Sequence, residues 1–211
     1  NTRLQVEHPI TEMITGIDIV REQVHVAAGH ALSVSQEHVG FAGHAFEARI
    51  CAEDPENGFL PSIGSVESLA VPGGPGVRFD SALFAGLEVS LFYDSLLAKL
   101  VCWGRDRSEA LSRMRQALEE LKISDLKTNV AFLGRVFREQ MFVDGDYDTG
   151  ILSRLGRAEV PPDVVEAAVI AASIVHHQEV RHHRDQGAAT SGRALDPWKM
   201  AGRRRGLGDG R

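Results

Sequence analysis

The chain has 211 residues, of which 43% are hydrophobic and 25% are charged, as in soluble proteins that bury a core. That length holds one ordinary domain, or one domain and part of another. The formal net charge of -6 argues against nucleic acid as the main partner. No stretch contains the roughly 18 to 20 uninterrupted apolar residues that a membrane span requires. We therefore expect neither a nucleic-acid partner nor a membrane partner.

The two cysteines indicate a reducing compartment. Cys51 and Cys102 lie far apart in apolar, strand-like runs, without the spacing of a metal site. We interpret both as small core residues and expect a cytoplasmic protein. The chain also opens at Asn1, without a methionine and directly in a dense motif. We interpret it as a fragment of a longer protein.

The first half of the chain is predicted to change from one strand and one helix to many strands. Residues 1–7 predict a strand that Pro9 ends. Apolar residues at helical spacing predict a helix over about 18–28. From His44 to about Trp103, short strand-like runs alternate with glycine and proline. These signals predict a sheet that precedes the next helices.

Two helices follow the strands, and a different segment follows the helices. One helix begins at Asp106, which is predicted to cap it, and the next begins near Thr128. Strands first and helices afterwards predict an α+β fold, with a mainly antiparallel sheet and flanking helices. Beyond a linker, residues 164 to about 184 predict another helix, and a tail rich in glycine, alanine and arginine follows.

The opening strand is predicted to carry a polar face. In a strand, alternate side chains share a face, so Asn1, Arg3, Gln5 and Glu7 would lie together. A guanidinium, an amide and a carboxylate suit a small planar oxyanion, because they combine forked donors with a group that can remove a proton. Alternation alone favours a solvated edge strand with an Arg–Glu ion pair, because ordinary antiparallel strands show it.

Four motifs resemble those of one enzyme family. They are residues 1–12 (NTRLQVEHPITE), residues 46–55 (FEARICAEDP) followed by 59–62 (FLPS), residues 93–100 (YDSLLAKL), and residues 127–129 (KTN). Their order and spacing over roughly residues 1–155 resemble biotin carboxylases, in which the first motif closes the ATP-grasp active site.

The resemblance implies a division of the chain into domains. Residues 1–30 would be the closing strand and helix of an ATP-grasp domain. Residues 31–155 would be the biotin carboxylase C-terminal domain. Residues 156–185 would be a linker and a helix, and residues 186–211 a disordered tail. The glycine-rich lid and the ATP-binding lysines of the family would lie upstream, so we expect this chain alone to be inactive.

The resemblance also implies a bicarbonate site in the first motif. In the family, ATP activates bicarbonate to carboxyphosphate, which delivers CO₂ to the N1′ atom of biotin. Glu7 would be the general base that deprotonates bicarbonate. Arg3, Gln5 and the backbone N–H of Val6 would hold the bicarbonate oxygens. Asn1 matches an asparagine that ligates Mg²⁺ or Mn²⁺.

Three further residues match positions that bind biotin or the second subunit. Arg49 would stabilise the enolate-like oxygen of biotin, and a sheet-surface pair with Glu47 is the alternative. Asp94 matches an aspartate that holds this arginine, although it could be a plain turn residue. Arg78 lies where the family has a dimer-interface arginine, but the nearby family position that is often aromatic is Pro75 here.

By this resemblance the parent protein would be a ligase that forms a C–N bond, with ATP, Mg²⁺ or Mn²⁺ and carrier-bound biotin. Its partners would be a biotin carboxyl carrier protein or domain, a carboxyltransferase and a second copy of itself. The acceptor stays open among acetyl-CoA, propionyl-CoA, methylcrotonyl-CoA, pyruvate and urea. The alternatives are another ATP-grasp ligase and a non-catalytic dimerisation module.

Overall fold

The computed structural model describes residues 3–155 and 164–177. The chain divides into two compact units, Asn1–Gly156 and Arg157–Arg211. The helices described in the first unit are α1 (His8–Thr15), α2 (Ile19–Ala27), α3 (Arg107–Glu120), α4 (Val130–Val136), α5 (Gln140–Asp144) and α6 (Ile151–Arg154). The strands are β1 (His44–Cys51), β2 (Glu53–Asp54), β3 (Leu60–Pro61), β4 (Gly64–Ser65), β5 (Leu69–Ala70), β6 (Val77–Ser81), β7 (Glu88–Val89), β8 (Leu96–Gly104) and β9 (Lys122–Ile123).

The main sheet has three strands in the order β1-β8-β6, with the longest strand, β8, in the centre. Both neighbours run antiparallel to β8. The six remaining strands have two residues each and form the antiparallel pairs β2-β3, β4-β7 and β5-β9. This architecture confirms the predicted α+β fold with a mainly antiparallel sheet.

One face of the main sheet forms the core with helix α3. Phe46, Ala48 and Ile50 of β1 are buried, and they alternate with Glu47 and Arg49 on the opposite face. The residues that join these three in the core come from β8 and from the helices, and they include Leu100, Cys102, Met114, Leu118 and Phe137. The alternation of β1 therefore produces one apolar face for packing and one polar face for chemistry.

The predicted cap of helix α3 is confirmed. The Asp106 side chain accepts a hydrogen bond of 2.8 Å from the backbone N–H of Glu109, which satisfies a donor at the helix start. The next helix, α4, begins at Val130, slightly after the predicted start near Thr128. Its N-cap residue, Asn129, makes no side-chain cap bond, because that side chain is hydrogen-bonded to strand β1.

Helix α2 is also confirmed, with Asp18 as its N-cap. The apolar residues that predicted it are exposed, with Val20 at 48% and Val24 at 62%. The buried residue of this helix is instead Glu22, whose carboxylate accepts hydrogen bonds from the backbone and the hydroxyl of Ser33. These bonds lower the pKa of Glu22 and tie the loop after α2 to the helix.

The strand predicted over residues 1–7 is wrong for the described residues 3–7, which form a turn into helix α1. The backbone N–H of Gln5 donates to Nδ1 of His8 at 3.1 Å, and that bond closes the turn. Pro9 is buried in the first turn of α1, where its fixed φ and missing N–H are tolerated. A strand also needs a partner, and none of the described strands pairs with residues 3–7.

In the second unit, residues 164–177 form a helix whose side chains are exposed. This segment agrees with the first part of the helix predicted over 164 to about 184. The end of that helix, the linker before it and the tail over 186–211 lie outside the described residues. The predicted domain boundaries stay predictions. Across the described ranges, no helix is both long enough and apolar enough to span a membrane.

Candidate active site

The second face of the main sheet carries a row of charges, which we call the polar face. The register aligns Arg49 of β1 with Lys99 of β8 and with Asp80 of β6. It also places Glu47 of β1 and Arg78 of β6 on either side of Val101. Directly opposed residues of neighbouring strands share a face. Lys99 therefore lies on one surface together with four other charged residues, which are Glu47, Arg49, Arg78 and Asp80. Helix α1 packs on β1 and β8 and contacts this surface.

Two sequence-predicted site residues meet on the polar face. Nη2 of Arg49 lies 3.5 Å from Oε2 of Glu7, although 42 residues separate them in the chain. Their side chains remain 57% and 59% exposed. An exposed ion pair at this distance contributes little to stability. Both groups are therefore accessible to a ligand, with a forked donor and an acceptor side by side.

Asn129 fixes the backbone that carries Arg49. Its Nδ2 donates to the carbonyl of Arg49 at 2.9 Å, and its Oδ1 accepts from the N–H of Cys51 at 2.9 Å. The Asn129 backbone N–H also donates to the carbonyl of Cys51. β1 is an edge strand, and its pairing with β8 is irregular between Ile50 and Cys51. The buried amide thus replaces a neighbouring strand where β1 would otherwise leave backbone groups unpaired.

Glu47 lies two residues before Arg49 on the same face. Burial raises the pKa of its carboxyl from an ordinary 4.5 to about 6, although Lys99 and Arg49 act in the opposite direction. Its Oε2 is buried and has no hydrogen-bond partner among the described residues. A buried acceptor without a donor favours the protonated form of the acid. Glu47 is therefore a carboxyl group whose charge changes near neutral pH beside Arg49.

The rest of the predicted bicarbonate site lies in the turn before α1. Arg3 is exposed, while Gln5 and Val6 are half-buried. In a turn, unlike in a strand, consecutive side chains do not alternate between two faces. Gln5, Val6 and Glu7 are therefore neighbours in the turn and do not lie on one face of a strand as predicted. Asn1 lies outside the described residues. The roles of these residues in binding bicarbonate stay predictions.

Asp94 forms a turn at the start of β8. Its Oδ1 accepts a hydrogen bond of 2.8 Å from the backbone N–H of Leu96. Among the ion pairs of the described chain, the partner of Arg49 is Glu7, and no pair links Arg49 to Asp94. The turn role weighed in the sequence analysis is thus present in the structure, and the biotin-binding role of Asp94 stays a prediction.

Arg78 makes its ion pairs within its own chain. Nη1 lies 2.6 Å from Oε2 of Glu12 in α1, and Nη2 lies 2.8 Å from Oδ2 of Asp80. The bonds to Asp80, and then those to Glu12, raise the pKa of Arg78 above its ordinary value. The dimer-interface role of Arg78 stays a prediction. Glu12 stands in the first motif, but its position there predicted no role for it.

The described residues 3–155 and 164–177 contain no group of three or more histidine, cysteine, aspartate or glutamate side chains that could hold a metal ion. The role of Asn1 as a Mg²⁺ ligand stays a prediction, because Asn1 lies outside the described residues. The two thiols are free. Burial raises the pKa of Cys51, and it raises that of Cys102 to about 12. Cys102 is a core residue, as predicted, whereas Cys51 at the end of β1 is only half-buried. Their raised pKa values make both thiols poor nucleophiles.

Two segments of the chain match known protein families. Residues 47–154 match the biotin carboxylase C-terminal domain. Residues 1–35 match the ATP-binding domain of the carbamoyl-phosphate synthase L chain. The first match covers about half of the sequence and includes most of β1, all of β8, and the helices α3 and α4.

Among curated proteins, the chain is 49% identical over 152 residues to the 2-oxoglutarate carboxylase small subunit of Hydrogenobacter thermophilus, covering 72% of this chain and 32% of that protein. It is 43% identical to the biotin carboxylase of a Nostoc species, covering 74% and 35%. It is 47% identical to the mitochondrial methylcrotonoyl-CoA carboxylase subunit alpha of Rattus norvegicus, covering 72% and 21%. The chain thus spans about a third or less of the length of these relatives.

Solved structures show the same likeness. The biotin carboxylase domain of the H. thermophilus 2-oxoglutarate carboxylase, in complex with MgADP and bicarbonate, superposes with a TM-score of 0.72 at 49% identity, covering 73% of this chain and 34% of that one. The biotin carboxylase of Campylobacter jejuni superposes with a TM-score of 0.70 at 43% identity, covering 74% and 34%. On the matched domain, the fold and these identities, the chain belongs to the biotin carboxylase family.

Proposed function

We propose that this chain is the C-terminal part of an ATP-dependent biotin carboxylase. The full protein would carboxylate biotin on its carrier, with bicarbonate, in the first half-reaction of a biotin-dependent carboxylase. The observation that carries the proposal is the 3.5 Å contact between Glu7 and Arg49, which two separate motifs supply. Membership of the biotin carboxylase family indicates the reaction in which this pair would act. Carboxylation of biotin needs both a base and a cation near one oxyanion.

Bicarbonate would bind beside Glu7. Its carboxylate would remove the bicarbonate proton, while Arg3, Gln5 and the N–H of Val6 hold the remaining oxygens. The deprotonated oxygen would attack the γ-phosphorus of ATP, so that ADP leaves and carboxyphosphate forms. Positioning and charge are most of what a protein contributes to phosphoryl transfer. A likeness to a relative solved with MgADP and bicarbonate supports these substrates.

Biotin would bind on the Arg49 side. When N1′ of biotin loses its proton, negative charge develops on the ureido oxygen, and a guanidinium in reach would stabilise it. Carboxyphosphate would break down into CO₂ and phosphate, the phosphate would take the N1′ proton, and N1′ would attack the CO₂ to form the new C–N bond. Asn129 supports this role, because it holds the backbone of Arg49 in place. Asp94 would lie near biotin without being the partner of Arg49.

Asn1 would be a ligand of Mg²⁺ (or Mn²⁺). The bound metal ion would neutralise charge on the phosphates of ATP. The partners we propose are a biotin carboxyl carrier protein or domain and a carboxyltransferase, in a cytoplasmic homodimer with Arg78 near the interface. The acceptor stays open, since relatives named for 2-oxoglutarate, pyruvate and methylcrotonoyl-CoA have similar identities to this chain. Acetyl-CoA and a place in fatty acid metabolism are equally compatible with residues 3–155.

The test is biotin-dependent ATP cleavage, with bicarbonate, by the full-length gene product and its Arg49→Ala variant. We expect the variant to lose activity by on the order of 10²- to 10³-fold, as when a donor to a developing oxyanion is removed. Arg105→Ala is the matched control, because Arg105 is 84% exposed and pairs with Glu109, away from the polar face. Equal activity of Arg49→Ala and Arg105→Ala would refute the assigned role.

A further inference from the structure

Helix α1 crosses the polar face and is attached to both edge strands of the main sheet. Glu7, the residue before the helix, contacts Arg49 of β1. Glu12, in the middle of the helix, pairs with Arg78 of β6. Neighbouring strands lie about 4.8 Å apart, so two strands separated by β8 are roughly 10 Å apart. The short helix therefore bridges the full width of the sheet.

The two attachments differ in strength. The Glu7–Arg49 pair is long, at 3.5 Å, and both side chains are more than half exposed. The Glu12–Arg78 pair is 2.6 Å long, and the Glu12 side chain is only 12% exposed. Asp80 holds the guanidinium of Arg78 from the other side, with Nε–Oδ1 and Nη2–Oδ2 distances of 2.9 and 2.8 Å. A fixed, shielded guanidinium is a stronger anchor than an exposed one.

Glu12 also joins α1 to α2. Its Oε1 accepts a hydrogen bond of 2.9 Å from the backbone N–H of Ile19, the first residue of α2. Its own carbonyl accepts from Gly16, which ends α1 in a left-handed conformation. One carboxylate thus engages a backbone donor of α2 and a guanidinium of the sheet, so its loss would release α1 from two neighbours at once.

We propose that Glu12 is a positioning residue for the Glu7–Arg49 site. Through Arg78 it fixes helix α1 across the sheet, and the helix in turn sets where Glu7 lies relative to Arg49. The inference rests on the proposed function, because it gives the helix a task only if Glu7 acts on bicarbonate. It also gives Arg78 a role inside its own subunit, separate from any role at a dimer interface.

The experiment uses the full-length protein and its Glu12→Gln variant, in which an amide oxygen can still accept from Ile19 but the ion pair is lost. We expect kcat to fall on the order of 10- to 100-fold and KM for bicarbonate to rise, because a misplacement of about 1 Å can cost as much. KM for ATP should change less than KM for bicarbonate, because the contact that Glu12 would position is the one between Glu7 and Arg49. Glu119→Gln, which breaks the ion pair between Glu119 of α3 and Arg138 after α4, is the matched control.

A double-mutant cycle with Arg78→Gln identifies the partner. If the pair acts as one unit, Glu12→Gln combined with Arg78→Gln is no slower than the slower single variant. Sedimentation velocity on the same proteins separates positioning from assembly, because Glu12→Gln should keep the oligomeric state of the wild type. Additive losses, or losses that appear only with dissociation, would overturn the inference.

Hydrogen exchange gives a readout that does not depend on turnover. In Glu12→Gln, the amides of α1 and of Ile19 should exchange severalfold faster than in Glu119→Gln. Normal exchange and normal kinetics in Glu12→Gln would sink the positioning role while leaving the proposed function intact. An inactive wild type would refute the proposed function instead, and the exchange rates would then still decide whether Glu12 holds the helix.

Discussion

At the scale of single residues, the protonation of Glu47 changes the charge of the polar face. It lies two residues from Arg49, and its Oε2 is buried without a donor. The pKa of its carboxyl is raised to about 6 by burial. Above that pH the folded protein holds a partly buried negative charge, which Lys99 and Arg49 offset only in part. The charge that Arg49 experiences therefore changes between acidic and neutral pH.

The raised pKa sets the direction of the pH dependence. Because the folded state holds this proton more tightly than the unfolded state, the contribution of Glu47 to stability is fully present below pH 4.5 and is lost as the pH rises through about 6. At pH 7.5 the ionised group costs on the order of 1 kcal/mol once solvent screening is allowed for. Glu47→Gln should therefore raise the free energy of unfolding at pH 7.5 and change it little at pH 4.

Urea unfolding of the chain at the two pH values measures this difference. Glu88→Gln, on the exposed side of the short strand β7, serves as the control. A Glu47→Gln variant whose gain in stability is the same at both pH values would show that Glu47 does not titrate as described.

Individual site residues were predictable to different degrees. Arg49 was predicted on the correct face of β1. A strand with one buried face alternates between apolar and polar residues, and this alternation is visible in the sequence. The contact between Glu7 and Arg49 was not predictable from local pattern, since it joins two segments through a helix that lies across the sheet. Glu12 was missed because a glutamate in a helical turn has no sequence signature of an anchor.

At the scale of elements, chain segments with a strong local signal were predicted well. Asp106 caps its helix as predicted, because a side-chain acceptor before a helix acts through neighbouring residues alone, and the structure shows the same cap at Asp18. Residues 3–7 were predicted wrongly, because strand-like alternation is also compatible with a turn when no partner strand is present. The hydrogen bond between Gln5 and His8 could not be inferred from the pattern.

The attachment of α4 to β1 through Asn129 has an energetic effect that can be measured. Asn129→Ala would leave the carbonyl of Arg49 and the N–H of Cys51 without their partner. Leaving two half-buried backbone groups unpaired should lower the free energy of unfolding by about 2–4 kcal/mol. It should also lower activity in the full-length protein, because the backbone of Arg49 is no longer held.

Chemical denaturation of Asn129→Ala and of Asn57→Ala measures this effect. Asn57 is exposed in a single helical turn, so its replacement should change stability by less than about 0.5 kcal/mol. Equal stability of the two variants would contradict the idea that the Asn129 amide supports the edge of β1.

At the scale of the whole molecule, the first unit separates a polar surface from an apolar core. The sheet offers its polar face to the same side as helix α1, and its apolar face is filled by α3 and its neighbours. The family match over residues 47–154 accounts for this architecture. The order of the predicted elements, with strands first and helices afterwards, allowed the α+β class to be predicted.

The relatives are much longer than the segments that they share with this chain. The H. thermophilus subunit is about three times as long as the segment that it shares with this chain. The match of residues 1–35 to an ATP-binding domain supports a nucleotide site built largely by other residues. The 211-residue chain alone should therefore provide the Glu7–Arg49 pair without turning over ATP.

The most direct test of the central claim is the transfer of labelled bicarbonate to biotin on a carrier domain. Purified full-length gene product, with ATP and Mg²⁺, should form carboxybiotin, and omission of ATP should abolish it. The 211-residue chain under the same conditions should form none. Labelled biotin with the full-length protein and none with the chain is the result we predict. A full-length protein that cleaves ATP but never labels biotin would contradict the assignment of this reaction.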